Sequence, residues 1–334
     1  MKQLSKKKLL AALIWIVFCL VSAEFIVRLT LPKFTKIEHK YGWTTCNDEC
    51  TKTRLIINNS NHEYNITNNF FNHGFKRWDN INSNKTKILI LGDSFTEMYT
   101  VPNGKEWYSY FEKEFNSIEL FVYGCNGFGT IQEYLVLDDY FDIIKPDIIL
   151  LQFYSSDFSD NLYEFERALY PKINAFRPYL EDGKIIYKQP VIFSSARQIS
   201  WIVDYLLGIY DKWRLDYNKN HNISPYLEVD QTDLTNYKNK SFFKTLIIIN
   251  MIINRTKPAP VYFFSADSFT ELENDLCAQS GLKCIKGVGE LIENKSEQGY
   301  HLTPKNDLIH WNELGNELVG KYLSDYFKVH EILK

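Results

Sequence analysis

A serine, an aspartate and a histidine stand in this chain where acyl transfer could use them. Ser94 lies in the block Gly92-Asp93-Ser94-Phe95-Thr96, directly after the apolar run Ile88-Leu89-Ile90-Leu91, and Asp307-Leu308-Ile309-His310 lies near the C-terminus. A strand that ends in a short Gly-Asp turn holds one hydroxyl at the open edge of a sheet, and a late loop brings a carboxylate and an imidazole to it. In that chemistry Ser94 attacks an acyl carbonyl, and His310 accepts its proton and returns it to the leaving alcohol. Asp307 orients the imidazole and stabilises its charged form. The spacing of three lets Asp307 and His310 share one loop, with Leu308 and Ile309 expected to anchor it.

These residues need a scaffold, and the pattern from residue 87 onward supplies one. Lys87 to Leu91 reads as a strand, and the stretch around Glu106 to Phe115 places Trp107, Phe111 and Phe115 on one helical face. A second strand covers Ile118 to Tyr123. The glycine-rich turn Gly124-Cys125-Asn126-Gly127-Phe128-Gly129-Thr130 follows, with Thr130 expected as the N-cap of a helix and Glu133 at capping-box spacing. Further strands are expected at Asp147 to Tyr154 and Pro260 to Phe264, a helix from Glu271, and a last helix from near Asn312 with Leu314, Leu318, Tyr322 and Tyr326 along its stripe.

Strands alternating with helices predict an α/β three-layer sandwich, a central parallel sheet flanked by helices, with a ligand beyond the carboxyl ends of its strands. Ser94, Gly127, Ser156 and Asp157 all fall just after such ends. Asp157 and Asp160 invite a metal reading, but hydrogen bonding within their own loop explains them without a further carboxylate cluster at ligand-like spacing. The expectation is no metal and no cofactor.

Residues 31–80 read as a lead-in of loops and short strands, and residues 81–330 as the catalytic domain. Within it, 158–257 is too long for a simple connection. Tyr179 to Tyr187 looks like a hairpin turning at Asp182-Gly183, and helical segments follow near Ser200 to Asp216 and Lys240 to Asn254. This interval reads as a cap-like insertion shaping the approach of substrate, or else as a peripheral packing element.

The first 30 residues set the compartment. Lys6, Lys7 and Lys8 precede an apolar segment from Leu9 to Ala23, extended past Glu24 by Phe25, Ile26 and Val27. A membrane anchor from about Leu9 to Leu29 is favoured, with the remainder of the chain outside the cytoplasm; a signal cleaved after Val21-Ser22-Ala23 is the alternative. Cys46 with Cys50, and Cys277 with Cys284, are then expected as local disulfides in an oxidising compartment, since neither spacing suits a structural zinc. A net charge of −3 without a long basic patch argues against nucleic acid as a partner.

Over roughly residues 70 to 330 the chain resembles the SGNH, or GDSL-like, hydrolase superfamily. Its first block is similar to Gly92-Asp93-Ser94-Phe95-Thr96, its second to Gly124 through Thr130, its third to Phe153-Tyr154-Ser155-Ser156-Asp157-Phe158-Ser159-Asp160-Asn161, and its last to Asp307-Leu308-Ile309-His310 followed by Gly315. Asn72-His73-Gly74-Phe75-Lys76 resembles a lead-in of membrane-associated members. The resemblance implies a triad of Ser94, His310 and Asp307, and an oxyanion hole from the backbone N–H groups of Ser94 and Gly127. Ser156 stands where the family presents an asparagine donor. It also implies esterase or deacylase action on an acylated small molecule or an O-acetylated glycan of the cell envelope. O-acyl transfer to a surface polysaccharide and non-catalytic glycan binding are the alternatives.

Overall fold

The computed structural model describes residues 6–30, 39–169, 176–188, 194–220 and 231–333. Parts of the expected lead-in (31–38) and insertion (170–175, 189–193 and 221–230) lie outside them.

The chain begins with α1 (Lys6–Thr30), of which Leu10–Thr30 is long and apolar enough to cross a membrane and is not buried against the rest of the protein. The antiparallel hairpin β1 (Cys50–Ile57) and β2 (Glu63–Phe70) follows, entered through the disulfide Cys46–Cys50. The short β3 (Arg77–Trp78) leads into β4 (Thr86–Gly92), α2 (Ser94–Glu97), α3 (Trp107–Glu112) and β5 (Ile118–Gly124). Next come α4 (Thr130–Ile144), β6 (Ile148–Phe153), α5 (Ser156–Asp160) and α6 (Tyr163–Leu169). The hairpin β7 (Arg177–Glu181) and β8 (Lys184–Lys188) turns at Asp182 and Gly183, both with positive φ (48° and 73°) as a two-residue turn between twisted strands requires. Three helices follow, α7 (Ser194–Ile199), α8 (Trp201–Asn220) and α9 (Gln231–Thr256). The chain closes with β9 (Val261–Ser265), α10 (Glu271–Gln279), β10 (Lys283–Cys284), α11 (Val288–Glu297) and α12 (Glu313–Val329), the disulfide Cys277–Cys284 tying α10 to β10.

The expected three-layer architecture is present. The six-stranded sheet has the order β10-β9-β6-β4-β5-β3, parallel except for the edge strand β3, which runs antiparallel to β5. Alternate residues of the buried strands feed two cores. Leu89, Leu91, Phe121, Tyr123, Ile149 and Leu151 pack with Ile131 and Leu137 of α4 and with Ile248, Ile249 and Ile252 of α9. On the opposite face Ile88, Ile90, Leu120, Val122 and Leu150 pack with Trp107 and Phe111 of α3 and with Val319, Leu323 and Phe327 of α12. Helix α9 falls inside the stretch read as an insertion, yet its C-terminal half covers the sheet itself. Helix α8 is docked on α1 instead: the Glu24 carboxylate accepts the N–H groups of Trp201 and Ile202 at 2.8 and 3.2 Å, and Arg28 donates to the Ile199 carbonyl at 2.8 Å.

Two local expectations are corrected. The N-cap of α4 is Gly129, one residue before Thr130, and Gln132 rather than Glu133 reaches back to it, accepting the Gly129 N–H at 3.1 Å. In α12 the buried stripe is Gly315, Asn316, Val319, Gly320, Leu323, Ser324 and Phe327, one position on from the expected one, and Leu314 is 39% exposed. Small residues share the stripe with Val319, Leu323 and Phe327 because α12 crosses α3 closely: a Cβ at Gly320 would lie 2.4 Å from the Trp107 carbonyl oxygen.

The register aligns Gly92 with Gly124 at the carboxyl ends of β4 and β5. A Cβ on Gly124 would meet the Glu97 nitrogen at 2.2 Å and the Thr96 carbonyl carbon at 2.5 Å, so the backbone of α2 rests directly on the end of β5. Gly124→Ala is therefore expected to cost about 1–3 kcal/mol through overpacking. Gly281→Ala, whose new Cβ would meet nothing nearer than 3.7 Å, should stay within about 0.5 kcal/mol of wild type in the same denaturant titration.

Candidate active site

Ser94 is the first residue of α2, set there by the turn before it. Asp93 caps the helix by accepting the Phe95 N–H at 2.8 Å. The buried Gln152 on β6 accepts both the Asp93 N–H at 3.1 Å and the Thr96 hydroxyl at 2.9 Å, fastening the turn to the neighbouring strand. A side chain at position 92 would collide with that amide, since its Cβ would lie 2.3 Å from Gln152 Oε1.

Opposite this turn, His310 Nε2 lies 2.7 Å from Ser94 Oγ, and His310 Nδ1 lies 2.9 Å from both carboxylate oxygens of Asp307. With its proton on Nδ1 facing Asp307, the imidazole presents Nε2 as acceptor to the serine hydroxyl. Burial alone would raise the Asp307 carboxyl, but hydrogen bonds from His310 and Tyr99 hold it well below the usual carboxylate range. The Phe95 ring stands 5.0 Å from the imidazole and helps bury it. The three expected catalytic residues are thus brought into one hydrogen-bonded line.

The anchoring of their loop is different from expectation. Leu308 and Ile309 are 78% and 58% exposed and hold nothing. The loop is tied by polar groups to the N-terminal hairpin: Asn306 donates to the Leu55 carbonyl at 3.0 Å and accepts the Ile57 N–H at 2.8 Å, and the Lys305 N–H donates to the Ile57 carbonyl at 2.8 Å. Within it, Asp307 accepts the N–H groups of Ile309 and His310 at 3.2 and 3.0 Å.

Gly127 lies in the turn after β5 with φ 76°. Its carbonyl accepts from Arg177 at 2.8 Å, the Asn126 N–H before it donates to Glu97 at 2.6 Å, and Trp43 donates to the Asn126 carbonyl at 3.0 Å. Arg177 is buried and also pairs with Glu166 at 2.9 Å and Asp160 at 3.5 Å. Among the described residues neither the Ser94 nor the Gly127 backbone N–H has an acceptor. Ser156 opens α5 and lines a cavity of about 600 Å³ with Tyr154, Phe158 and Phe165; no hydrogen bond links its hydroxyl to the triad among the described residues. Asp157 bonds within its own loop, accepting the Tyr154 N–H at 3.2 Å.

Sequence reasoning missed Tyr99, Gln152, Arg177 and Arg54. The Tyr99 hydroxyl lies 2.8 Å from Asp307 Oδ2 and 2.8 Å from His310 Nδ1, and the Arg54 guanidinium lies 3.7 Å above its ring. Burial, and then the Asp307 charge, push the Tyr99 phenol well up, so it remains a donor. None of the four belongs to a local motif, and only their three-dimensional neighbours reveal them. A second cavity, of about 620 Å³, runs from Gly127 and Tyr99 toward Trp43, Arg54 and Asn68.

No family model matches the chain, and no curated protein matches it. Solved structures similar to it include a member of the lipolytic protein G-D-S-L family from Veillonella parvula, at 11% identity and a TM-score of 0.40, covering 73% of this chain and 98% of that one. A psychrotrophic esterase EstA from Pseudoalteromonas sp. is 12% identical over 73% of this chain and 98% of its own, with a TM-score of 0.40. A family 3 carbohydrate esterase from Clostridium thermocellum is 12% identical over 73% and 96%, with a TM-score of 0.38. At these values the likenesses decide neither family nor substrate, and the chemistry is read from the chain's own side chains.

Two outcomes follow from this geometry. Tyr99→Phe removes a donor to the Asp307 carboxylate, and kcat on a small neutral ester should fall about tenfold with KM little changed. Burial raises the Asp93 carboxyl from 3.8 to about 7, so over that window the folded state holds a proton the unfolded chain has lost, and stability drops as pH rises through it. Asp93→Asn should therefore show a smaller fall in Tm between about pH 5 and 8 than wild type in parallel melts; an identical fall would place the titration elsewhere.

Proposed function

We propose that this protein is a serine esterase or deacylase that hydrolyses an acyl ester, an O-acetyl ester foremost, on a glycan or other cell-envelope substrate. The observation that carries the reading is the unbroken line Ser94–His310–Asp307; the backbone N–H groups of Ser94 and Gly127, which have no acceptor among the described residues, are assigned to the oxyanion. Ser94 Oγ attacks the ester carbonyl as His310 Nε2 takes its proton, and the tetrahedral oxyanion is received by the N–H groups of Ser94 and Gly127. Collapse expels the alcohol, protonated by His310. Water activated by the same imidazole then releases the acid from the acyl-serine. The Ser156 hydroxyl is placed in this scheme as a third oxyanion donor.

The apolar α1 and the two disulfides support an exported or membrane-anchored protein with its catalytic domain outside the cytoplasm. The segment 158–257 is assigned to shaping the substrate approach, with Phe158, Phe165 and Lys238 lining one cavity together with Ser156.

Incubating the protein with short acyl esters and with acylated or bare glycans, and separating products by mass, decides among reactions. Free acid without transfer is expected, and Ser94→Ala should reduce it by at least about a thousandfold. Acyl groups appearing on an added glycan would make the protein a transferase, and reaction on neither set would remove the esterase reading. Ser156→Ala should lower turnover by less than the roughly 100- to 1000-fold loss seen for a well-placed donor. Equal turnover would leave the two backbone groups alone in that role.

A further inference from the structure

The larger cavity beside the triad has a cationic wall for which the reaction itself has no use. Lys52 and Arg54 are two residues apart on β1 and so share one face of the hairpin, Lys52 opposite Asn68 and Arg54 opposite Ile66 in the register. Both line the cavity of about 620 Å³ that also touches Trp43, Asn68, Tyr99 and Gly127. Among the described residues neither cation has a carboxylate within ion-pair distance. The Arg54 guanidinium is oriented by the Tyr99 ring 3.7 Å beneath it, which leaves its N–H edge free of a protein acceptor.

The cavity contains one acid, Glu97, which stands beyond ion-pair distance of both cations. Glu97 is buried, its carboxylate accepts the Asn126 N–H at 2.6 Å, and burial pushes its pKa up despite the fields of Lys76 and Arg54. Two unpaired cations over a pocket that ends at the proposed oxyanion hole favour a ligand with negative charge beyond the reacting carbonyl. The half-buried Trp43 indole offers the flat apolar surface that a sugar ring uses, while the buried Asn68 amide beneath is already engaged, accepting from Lys76 and donating to the Tyr99 carbonyl at 3.5 Å.

We propose that this cavity is an anion subsite, in which Arg54 and Lys52 hold a carboxylate or phosphate carried by the acylated sugar while the ester carbonyl sits between Ser94 and Gly127. The proposal rests on the esterase reading for the placement of the carbonyl, and names the substrate class as an acidic glycan.

Binding and turnover test the two separately. Full-length Ser94→Ala protein is titrated calorimetrically with three probes: an acetylated trigalacturonate, the same compound with its carboxylates methyl-esterified, and an acetylated mannotriose carrying phosphate. At least about tenfold tighter binding of an anionic probe than of the neutral one is expected, shrinking as salt is raised. Adding Arg54→Gln and Lys52→Gln should erase that difference while melting curves confirm the fold. The better of the two anionic probes distinguishes uronate from phosphate. Equal affinity for charged and neutral probes, no binding of any of them, or equal weakening of all by the two substitutions would overturn the anion subsite. Hydrolysis of 4-nitrophenyl acetate by wild-type protein reports on the esterase reading independently: charge-selective binding without hydrolysis overturns that reading and leaves the subsite, and hydrolysis without charge selectivity does the reverse.

Discussion

The hydrogen bond between Ser94 and His310 joins residues 216 positions apart, and much of the surrounding structure serves to keep its two ends 2.7 Å from each other. Neither end is held by apolar packing alone. The serine end is fixed by a buried amide, Gln152, reaching from the next strand to the backbone of Asp93 and the hydroxyl of Thr96. The histidine end is fixed by Asn306, which completes backbone hydrogen bonds of β1 as a further strand would. Directional polar contacts set position to a few tenths of an ångström, whereas apolar packing tolerates sliding. A reacting pair needs the former.

The charges around the site are sorted by burial. Asp307 is half-buried, takes hydrogen bonds from three sides, and is held ionised. Asp93, Glu133 and Asp157 lie deeper, and burial raises all three. The charges of Glu133, Asp93 and Asp160 raise Asp157 further, and that of Asp93 raises Glu133. Negative charge under Ser94 would oppose the oxyanion of the proposed attack. Raising the buried acids while Asp307 is held low favours one ionised carboxylate facing the imidazole.

Much of this was legible in the sequence wherever a residue acts through its own neighbours in the chain. The runs Ile88 to Leu91 and Ile118 to Tyr123 could be read as buried strands because both faces of a parallel sheet are covered; Ser94 stood out because strand ends carry chemistry, and Asp307 with His310 because a carboxylate and an imidazole three apart can share one loop. The stripe of α12 was misread because close helix crossing selects glycine and serine, which apolar periodicity does not count. The catalytic loop was misread for a similar reason: Leu308 and Ile309 invited an apolar anchor, but Asn306, one position before Asp307, makes the attachment. Tyr99 and Arg177 were invisible because their partners lie far away in the chain, and nothing in a single sequence marks such a meeting.

The segments outside the α/β core have a common role. The hairpin β1–β2 holds the loop of Asp307 and His310 and lays Arg54 over Tyr99; the hairpin β7–β8 supplies Arg177, whose buried guanidinium donates to the Gly127 carbonyl. Each segment therefore steadies one of the two loops that converge on Ser94. A parallel sheet fixes where its strands end but leaves the loops beyond them free to vary, so precision there has to be imported from elsewhere in the chain. Here it comes from two hairpins rather than from the sheet, and the hairpin nearer the N-terminus also provides the wall of the larger cavity. Positioning of the histidine and shaping of the pocket are thus coupled through one strand, β1, whose backbone faces the catalytic loop while Lys52 and Arg54 face the cavity.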